Sequence, residues 1–242
     1  EMVIRDWSSD VCSSDLLAMN LINAPMKAIL RTIMDIDDSE VKKIPMQGPL
    51  ILATNHINSL DAPVGFTHLH PRELSAFVKI ETWDNPVLGA LFNVWQGIPI
   101  HRGEVDFDAF NQAQAFLKEK KMLIVAPEGT RSKDGKLNKG YPGIVLLAIR
   151  SGVPILPVVF YGNENFKGNL KVLRRTKMVI KVGEQFHVNF GTEKMNRELR
   201  EEITAEIMYQ IAKLLPPEYR GVYADMSSAS TKHLVFSTAS LN

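Results

Sequence analysis

The chain has 242 residues, is 45% apolar and carries a formal net charge of +1, a length and composition that suit one sizeable globular domain. No run approaches the roughly 18 consecutive apolar residues of a membrane span. The near-neutral balance carries no nucleic-acid signal, and a single cysteine excludes an internal disulfide and fits a reducing compartment.

In chain order, the first stretch is RDWSSDVCSSDL (Arg5 to Leu16), which has no hydrophobic period and contains S-S-D twice. It resembles the in-frame translation of a sequencing-library adapter, so residues 1–16 are set aside from the fold as a non-native leader; a disordered polar leader is the alternative. Without its one basic and four acidic residues the net charge moves from +1 to +4, and Cys12, the only cysteine, goes with it. Next, LLAMNLINAPMKAILRTIMDI (Leu16 to Ile36) sets Leu, Ile and Met at helical spacings, broken at Pro25 and diluted by Asn20, Asn23, Lys27 and Arg31. This predicts an amphipathic helix or helical hairpin within an N-terminal segment of residues 17–48. Its apolar face either packs on the domain or lies against a membrane.

From Pro49 onward, short apolar runs alternate with helical patterns. Strands are expected at LILAT (50–54), LSAFVK (74–79), GIPIHR (97–102), MLIVAP (122–127), PILPVVF (154–160) and MVIKVG (178–183). Helices are expected over 62–69, 85–95, 106–121, 142–151 and 196–214. Strands separated by helices predict an α/β domain over 49–224, with a mostly parallel central sheet flanked by helices. Pro157 argues for an edge position, a bulge or a strand end. From Asp225 the Ser/Thr-rich tail 225–242 is expected to be loose, although HLVF within it could dock.

The chemistry concentrates in loops that follow strands. NHINSLDAP (Asn55 to Pro63) leaves LILAT through a turn that suits Asn55 and Asn58, and Asp61 is expected to cap the helix that follows. Such a loop folds the Asp61 carboxylate back onto one imidazole nitrogen of His56, leaving the other as a base for a hydroxyl proton. A capping aspartate beside an unrelated loop histidine is the plainer alternative. The absence of a G-x-S-x-G nucleophile motif favours direct attack by a substrate hydroxyl over an acyl-enzyme. APEGTRSKDGKL (Ala126 to Leu137) follows MLIV and packs Glu128, Gly129, Arg131, Lys133 and Lys136 into one loop. Arg131 offers a planar fork for phosphate or carboxylate; a solvated charged turn is the other reading. GIPIHRGEVD puts Arg102 at a strand end before Gly103.

In series, N-H-x-x-x-x-D-x-P, an apolar strand ending in R-G, P-E-G-T-R-S and V-P-I-x-P-V resemble the glycerophospholipid acyltransferase family, nearest to its 1-acylglycerol-3-phosphate (lysophosphatidate) acyltransferases. The resemblance runs from about Leu50 to Gly162, with weaker cover to Leu215. It implies that His56 is the general base and Asp61 its charge-relay partner, and that Arg102 and Arg131 hold the acceptor's phosphate. Glu128 and Gly129 match the acceptor-site E-G. Lys79, in FVKIET, falls where the family often has a lysine, although Val78 stands where alanine is usual. It implies no metal or prosthetic group, an acyl-CoA or acyl-carrier-protein cosubstrate, and a lysophospholipid acceptor. An acceptor of that kind places the protein at the cytoplasmic face of a membrane as a peripheral or monotopic protein. PVLGALFNVW (Pro86 to Trp95), with Leu88, Leu91, Phe92 and Trp95 on one face, and the cations Lys167, Lys171, Arg174, Arg175 and Lys177 are candidate membrane contacts; a core helix and a solvated basic turn are the alternatives. Glycerol 3-phosphate or another lysophospholipid as acceptor, a non-catalytic lipid-phosphate binding module, and a hydrolase are the competing functions.

Overall fold

A computed structural model of the chain describes residues 13–103 and 106–237, so most of the leader expected over 1–16 lies outside the described residues. Helix α1 (Ser13–Ile33) runs through Pro25 without breaking, and β1 (Met34–Asp37) follows at once. The helix expected to reach Ile36 therefore stops short of it. The cause lies in M-D-I-D, where apolar and charged residues alternate with the two-residue period of a strand.

Next come β2 (Leu50–Thr54), α2 (Asp61–His68), β3 (Leu74–Lys79), α3 (Pro86–Val94), β4 (Ile98–Ile100), α4 (Phe107–Lys118) and β5 (Met122–Val125). They are followed by α5 (Gly143–Ser151), β6 (Ile155–Tyr161), α6 (Phe166–Lys171), β7 (Thr176–Val182), β8 (Phe186–Val188), α7 (Arg197–Leu214) and β9 (Leu234–Phe236). Side-chain caps start three helices: Asn85 accepts from the amides of Val87 and Leu88, Asp106 from Ala109 and Asn196 from Leu199.

The sheet runs β1-β7-β6-β2-β5-β3-β4. The neighbours from β6 to β4 pair in parallel, β7 runs antiparallel to β6, and β8 joins β6 and β9 antiparallel. This is the expected α/β architecture with a mostly parallel centre. β2 is buried along its whole length. Its Ile51 and Ala53 enter one core with α4, α5 and α7, while Leu50 and Leu52 enter the other with α1, α2 and α3. Burial on both faces explains why LILAT is a continuous apolar run. Pro157 lies inside β6, between β2 and the β7–β8 ribbon, and not at an edge. The register passes from Val158↔Val182 to Ile155↔Phe186, which leaves one extra residue on the ribbon side. That is a β-bulge beside the residue that lacks an N–H, with Gly183 N donating to the Pro157 carbonyl at 2.9 Å.

Two expectations fail on packing. Trp95, proposed for a membrane interface, is fully buried. Its ring stacks on Phe66 at 4.5 Å between centroids, and its Nε1–H donates to Asn23 Oδ1 at 2.8 Å. Leu91 and Phe92 pack against the same core, so these residues hold α3 to α1 and α2, while Leu88 of the same face remains exposed. The tail is not loose over its described part. β9 pairs with β8, and buried Glu206 of α7 accepts from the Ser230 hydroxyl at 2.7 Å and the His233 amide at 3.0 Å. HLVF docks as the alternative expected, with His233 and Leu234 buried; residues 238–242 lie outside the described residues.

Buried His68, at the end of α2, makes stability depend on pH. Burial, assisted by nearby Lys27, pushes its imidazole down from 6.5 to about 4. The ring is neutral in the fold, while the unfolded chain takes up a proton below 6.5. Stability is therefore complete above that pH and is lost as pH falls toward about 4, at about 1.4 kcal/mol per pH unit. Urea melts across this window should show a shallower slope in His68→Gln than in the wild type, with half-buried His70, also lowered, still contributing; equal slopes in the two proteins would refute the assignment.

Candidate active site

β2 ends at Thr54, and the next residue fixes the direction of the loop. Buried Asn55 pairs with Phe160 of β6 like one more rung of the ladder: its Nδ2 donates to the Phe160 carbonyl at 2.8 Å, and Phe160 N donates to its Oδ1 at 2.9 Å. The chain then turns, with Leu60 N donating to Asn58 Oδ1 at 2.8 Å, and enters α2 at Asp61. Asp61 is not the cap expected from the sequence. Leu60 occupies the cap position without a side-chain bond, and Asp61 is the first helical residue.

Its carboxylate points back into the loop. Oδ2 meets His56 Nδ1 at 2.9 Å and accepts from the amides of Ile57 at 2.7 Å and Asn58 at 2.9 Å. Oδ1 accepts from Asn163 Nδ2 at 3.0 Å. Both oxygens of the Asp61 carboxylate act as acceptors, so in its contact with His56 the Nδ1 is the donor. Nε2 is then the free lone pair, on a side chain that remains 23% exposed.

The loop after β5 grips the main chain of the same histidine. Glu128 Oε1 accepts from His56 N at 3.1 Å, and Ser132 N donates to the His56 carbonyl at 2.7 Å. Glu128 Oε2 accepts from Asn138 N at 2.8 Å and Asn138 Nδ2 at 3.1 Å. Glu128 was expected at the acceptor. It is buried, burial raises its carboxyl, and both oxygens accept from within the protein, one of them from the His56 amide. Gly129 makes the tight turn at φ +65°, in the left-handed region that a side chain would disfavour.

The remaining candidates are cations at the ends of neighbouring strands. Lys79 closes β3, opposite Ile100 of β4; Arg102 lies just past β4; Arg131 follows β5. All three are exposed, and among the described residues none makes an ion pair. Because β2, β5, β3 and β4 are adjacent and parallel, His56, Arg131, Lys79 and Arg102 all stand at the carboxyl edge of the sheet, where open α/β sheets bind ligands. The strands of His56 and Arg102 are three spacings apart, about 14 Å, a span that suits an extended substrate.

Sequence reasoning missed two features. Asn163, fully buried after β6, braces Asp61, and its carbonyl accepts from Asn58 Nδ2 at 2.8 Å; the only local signal is a G-N step after a strand. His101 and Asp106 repeat the spacing of His56 and Asp61, with Nδ1 at 3.0 Å from Oδ2. There, however, Asp106 caps α4 and the histidine is 62% exposed. As for metals, Glu202, Glu206 and His233 bring ligand-type atoms within 4.8 Å of one another, but Glu206 is already occupied in fastening the tail.

Comparison with known proteins shows the family and the fold. A family model described as Acyltransferase matches residues 35–161, more than half of the chain. A 1-acyl-sn-glycerol-3-phosphate acyltransferase of Limnanthes douglasii is 31% identical over 124 residues, covering 47% of this chain and 41% of the relative. Another of that name, from Borreliella burgdorferi, is 26% identical over 127 residues, covering 52% of this chain and 50% of the relative. The match thus spans half or less of these curated relatives. The crystal structure of the 1-acyl-sn-glycerophosphate (LPA) acyltransferase PlsC from Thermotoga maritima shares the fold, with a TM-score of 0.61 at 22% identity over 90% of this chain and 83% of that one. The family match spans β2 to β6, and so contains both His56 and the loop that grips it: this chain belongs to the acyltransferase family.

Proposed function

We propose that the protein transfers an acyl group from an acyl thioester, carried on CoA or acyl-carrier protein, to the free hydroxyl of 1-acylglycerol 3-phosphate, giving phosphatidate. The observation that carries this reading is the His56–Asp61 pair, with Nδ1 bonded to a buried carboxylate and Nε2 left free. Nε2 takes the hydroxyl proton as the oxygen attacks the thioester carbonyl. The tetrahedral oxyanion collapses, the C–S bond breaks, and the leaving thiolate recovers the proton from Nε2. Asp61 holds the tautomer and stabilises the imidazolium between these steps. Each proton is returned within one turnover, so the reaction needs neither metal nor prosthetic group.

Arg102 and Arg131, with Lys79 between their strands, hold the acceptor's phosphate through charge-assisted bonds. The names of the curated relatives support this acceptor class. Among the described residues no helix is long and apolar enough to cross a membrane, and the proposed location is peripheral, at the cytoplasmic face, where α1 exposes Leu21 and Ile29.

The test is acyl transfer by the purified chain from acyl-CoA or acyl-carrier protein to a panel of 1-acylglycerol 3-phosphate, glycerol 3-phosphate and other lysophospholipids. Phosphatidate formed from the first acceptor is the expected product. Free fatty acid released without an acceptor would make the protein a hydrolase, and lipid binding without turnover would make it a binding module. The double variant Arg102→Ala, Arg131→Ala is expected to raise the KM for the acceptor by about 100-fold or more, since each charged contact contributes about 1.5–3 kcal/mol. Unchanged acceptor binding would remove the phosphate role.

A further inference from the structure

We infer that the turn joining α6 to β7 is a bilayer anchor, inserting Leu170, Val172 and Leu173 among acyl chains while the cations around them meet anionic headgroups. Three observations converge on it. Val172 and Leu173 are 71% and 92% exposed, with Leu170 beside them at 43%. Leu173 sits at φ +53°, a left-handed conformation that is unfavourable for leucine. The turn is nevertheless a built structure: the amides of Val172 and Arg174 both donate to the Asn169 carbonyl, at 3.1 and 2.9 Å, and Leu173 N donates to the Leu170 carbonyl at 3.1 Å. A rigid turn that holds its most apolar side chain fully in water gains nothing from doing so in isolation.

The charge around it selects the occupant. Residues 167–177 carry five cations and no acid. Arg174, Arg175 and Lys177 line an open recess of about 470 Å³ with Asn169 and Gly162, and Asp35 is its one acidic wall. Arg175 is anchored through Nη2 to the carbonyls of Arg31 and Met34, at 2.8 and 2.6 Å, which leaves Arg174 and Lys177 for a headgroup phosphate. A free anion would use the cations but leave the leucines and valine in water. A bilayer surface takes both, apolar tips below and cations at phosphate level.

The anchor stands at the catalytic edge. Phe166 tucks the start of α6 into the core, and Asn163, three residues earlier, donates to Asp61 at 3.0 Å. Gly162 lets β6 turn there: its φ is +93°, and a Cβ would lie 3.1 Å from the Lys177 carbonyl. Docking by this turn sets the edge that carries His56 toward the leaflet. That orientation, unlike the bilayer contact itself, rests on the acyl-transfer reading.

The test is co-sedimentation of the full chain with vesicles of phosphatidylcholine containing phosphatidylglycerol, and with vesicles of phosphatidylcholine alone. Wild type should favour the anionic vesicles. Val172→Asp with Leu173→Asp, and separately Lys171→Glu with Arg174→Glu, should each lower the partition about tenfold or more, with circular dichroism unchanged and acyl transfer to acceptor in detergent micelles retained. Undiminished partition in both double variants, or no wild-type preference for anionic vesicles, would overturn the proposal. So would release of the protein from vesicles by millimolar inorganic phosphate, which would mark a free-anion site. Absence of acyl transfer by the wild type in micelles would sink the catalytic reading and leave the vesicle result to stand by itself.

Discussion

His56→Ala is expected to lower kcat by about 10²–10⁴-fold, the usual contribution of a positioned general base, while acceptor binding survives. In the proposed mechanism the loss falls on turnover, because there His56 accepts a proton and makes no phosphate contact. Truncation at Cβ leaves the main chain of residue 56 still held by Glu128 and Ser132, so the loop keeps its course and the folded state its melting temperature. Steady-state kinetics with phosphatidate as the measured product, together with a thermal melt, checks both halves. Turnover within a factor of about ten of the wild type, a smaller loss than removal of a general base produces, would show that another group takes the hydroxyl proton.

Asp61→Asn should reach a comparable loss by a different route. The carboxylate of Asp61 serves Nδ1 of His56, two loop amides and Asn163. An asparagine can present its single carbonyl oxygen to His56 and the amides, which turns its NH₂ toward Asn163. There, Asn163 Oδ1 is buried without a partner, so a flip of that amide can accept the new donor. The substitution therefore keeps the packing but removes the negative charge beside the imidazole, and a kcat lowered on the order of 10²–10³-fold with a nearly unchanged KM is expected. A variant that lost turnover only in proportion to lost folded protein would assign Asp61 a structural role alone.

How much of this was legible depended on where each residue's partners lie in the chain. β2 and β6 were visible as apolar runs because a strand buried on both faces is apolar throughout, and β3, β4, β5 and β7 showed as shorter or alternating apolar patterns. β1 was hidden at the end of a helical pattern and β8 in a polar stretch, while β9 was legible only as the apolar HLVF that could dock. The His56–Asp61 spacing was legible because both partners sit in one turn. The grip of Glu128 on His56 was not, since it joins residues 72 apart, and an acid in a charged loop reads as a surface acid until its burial is known. Trp95 failed in the same way: an amphipathic helix shows that one face is apolar, and only packing shows what covers it.

By itself the sequence determined the α/β class, the family motifs and the pairing of His56 with Asp61, because these depend on short-range period and spacing. The tertiary structure decided that β5 inserts between β2 and β3. That strand order brings Glu128 and Ser132 onto His56 and sets the cations along one edge. The tertiary structure also buried Trp95 beside α3 and left Val172 and Leu173 of the α6–β7 turn exposed. Strand order and burial are set by summed contacts between segments far apart in the chain, which no local pattern encodes.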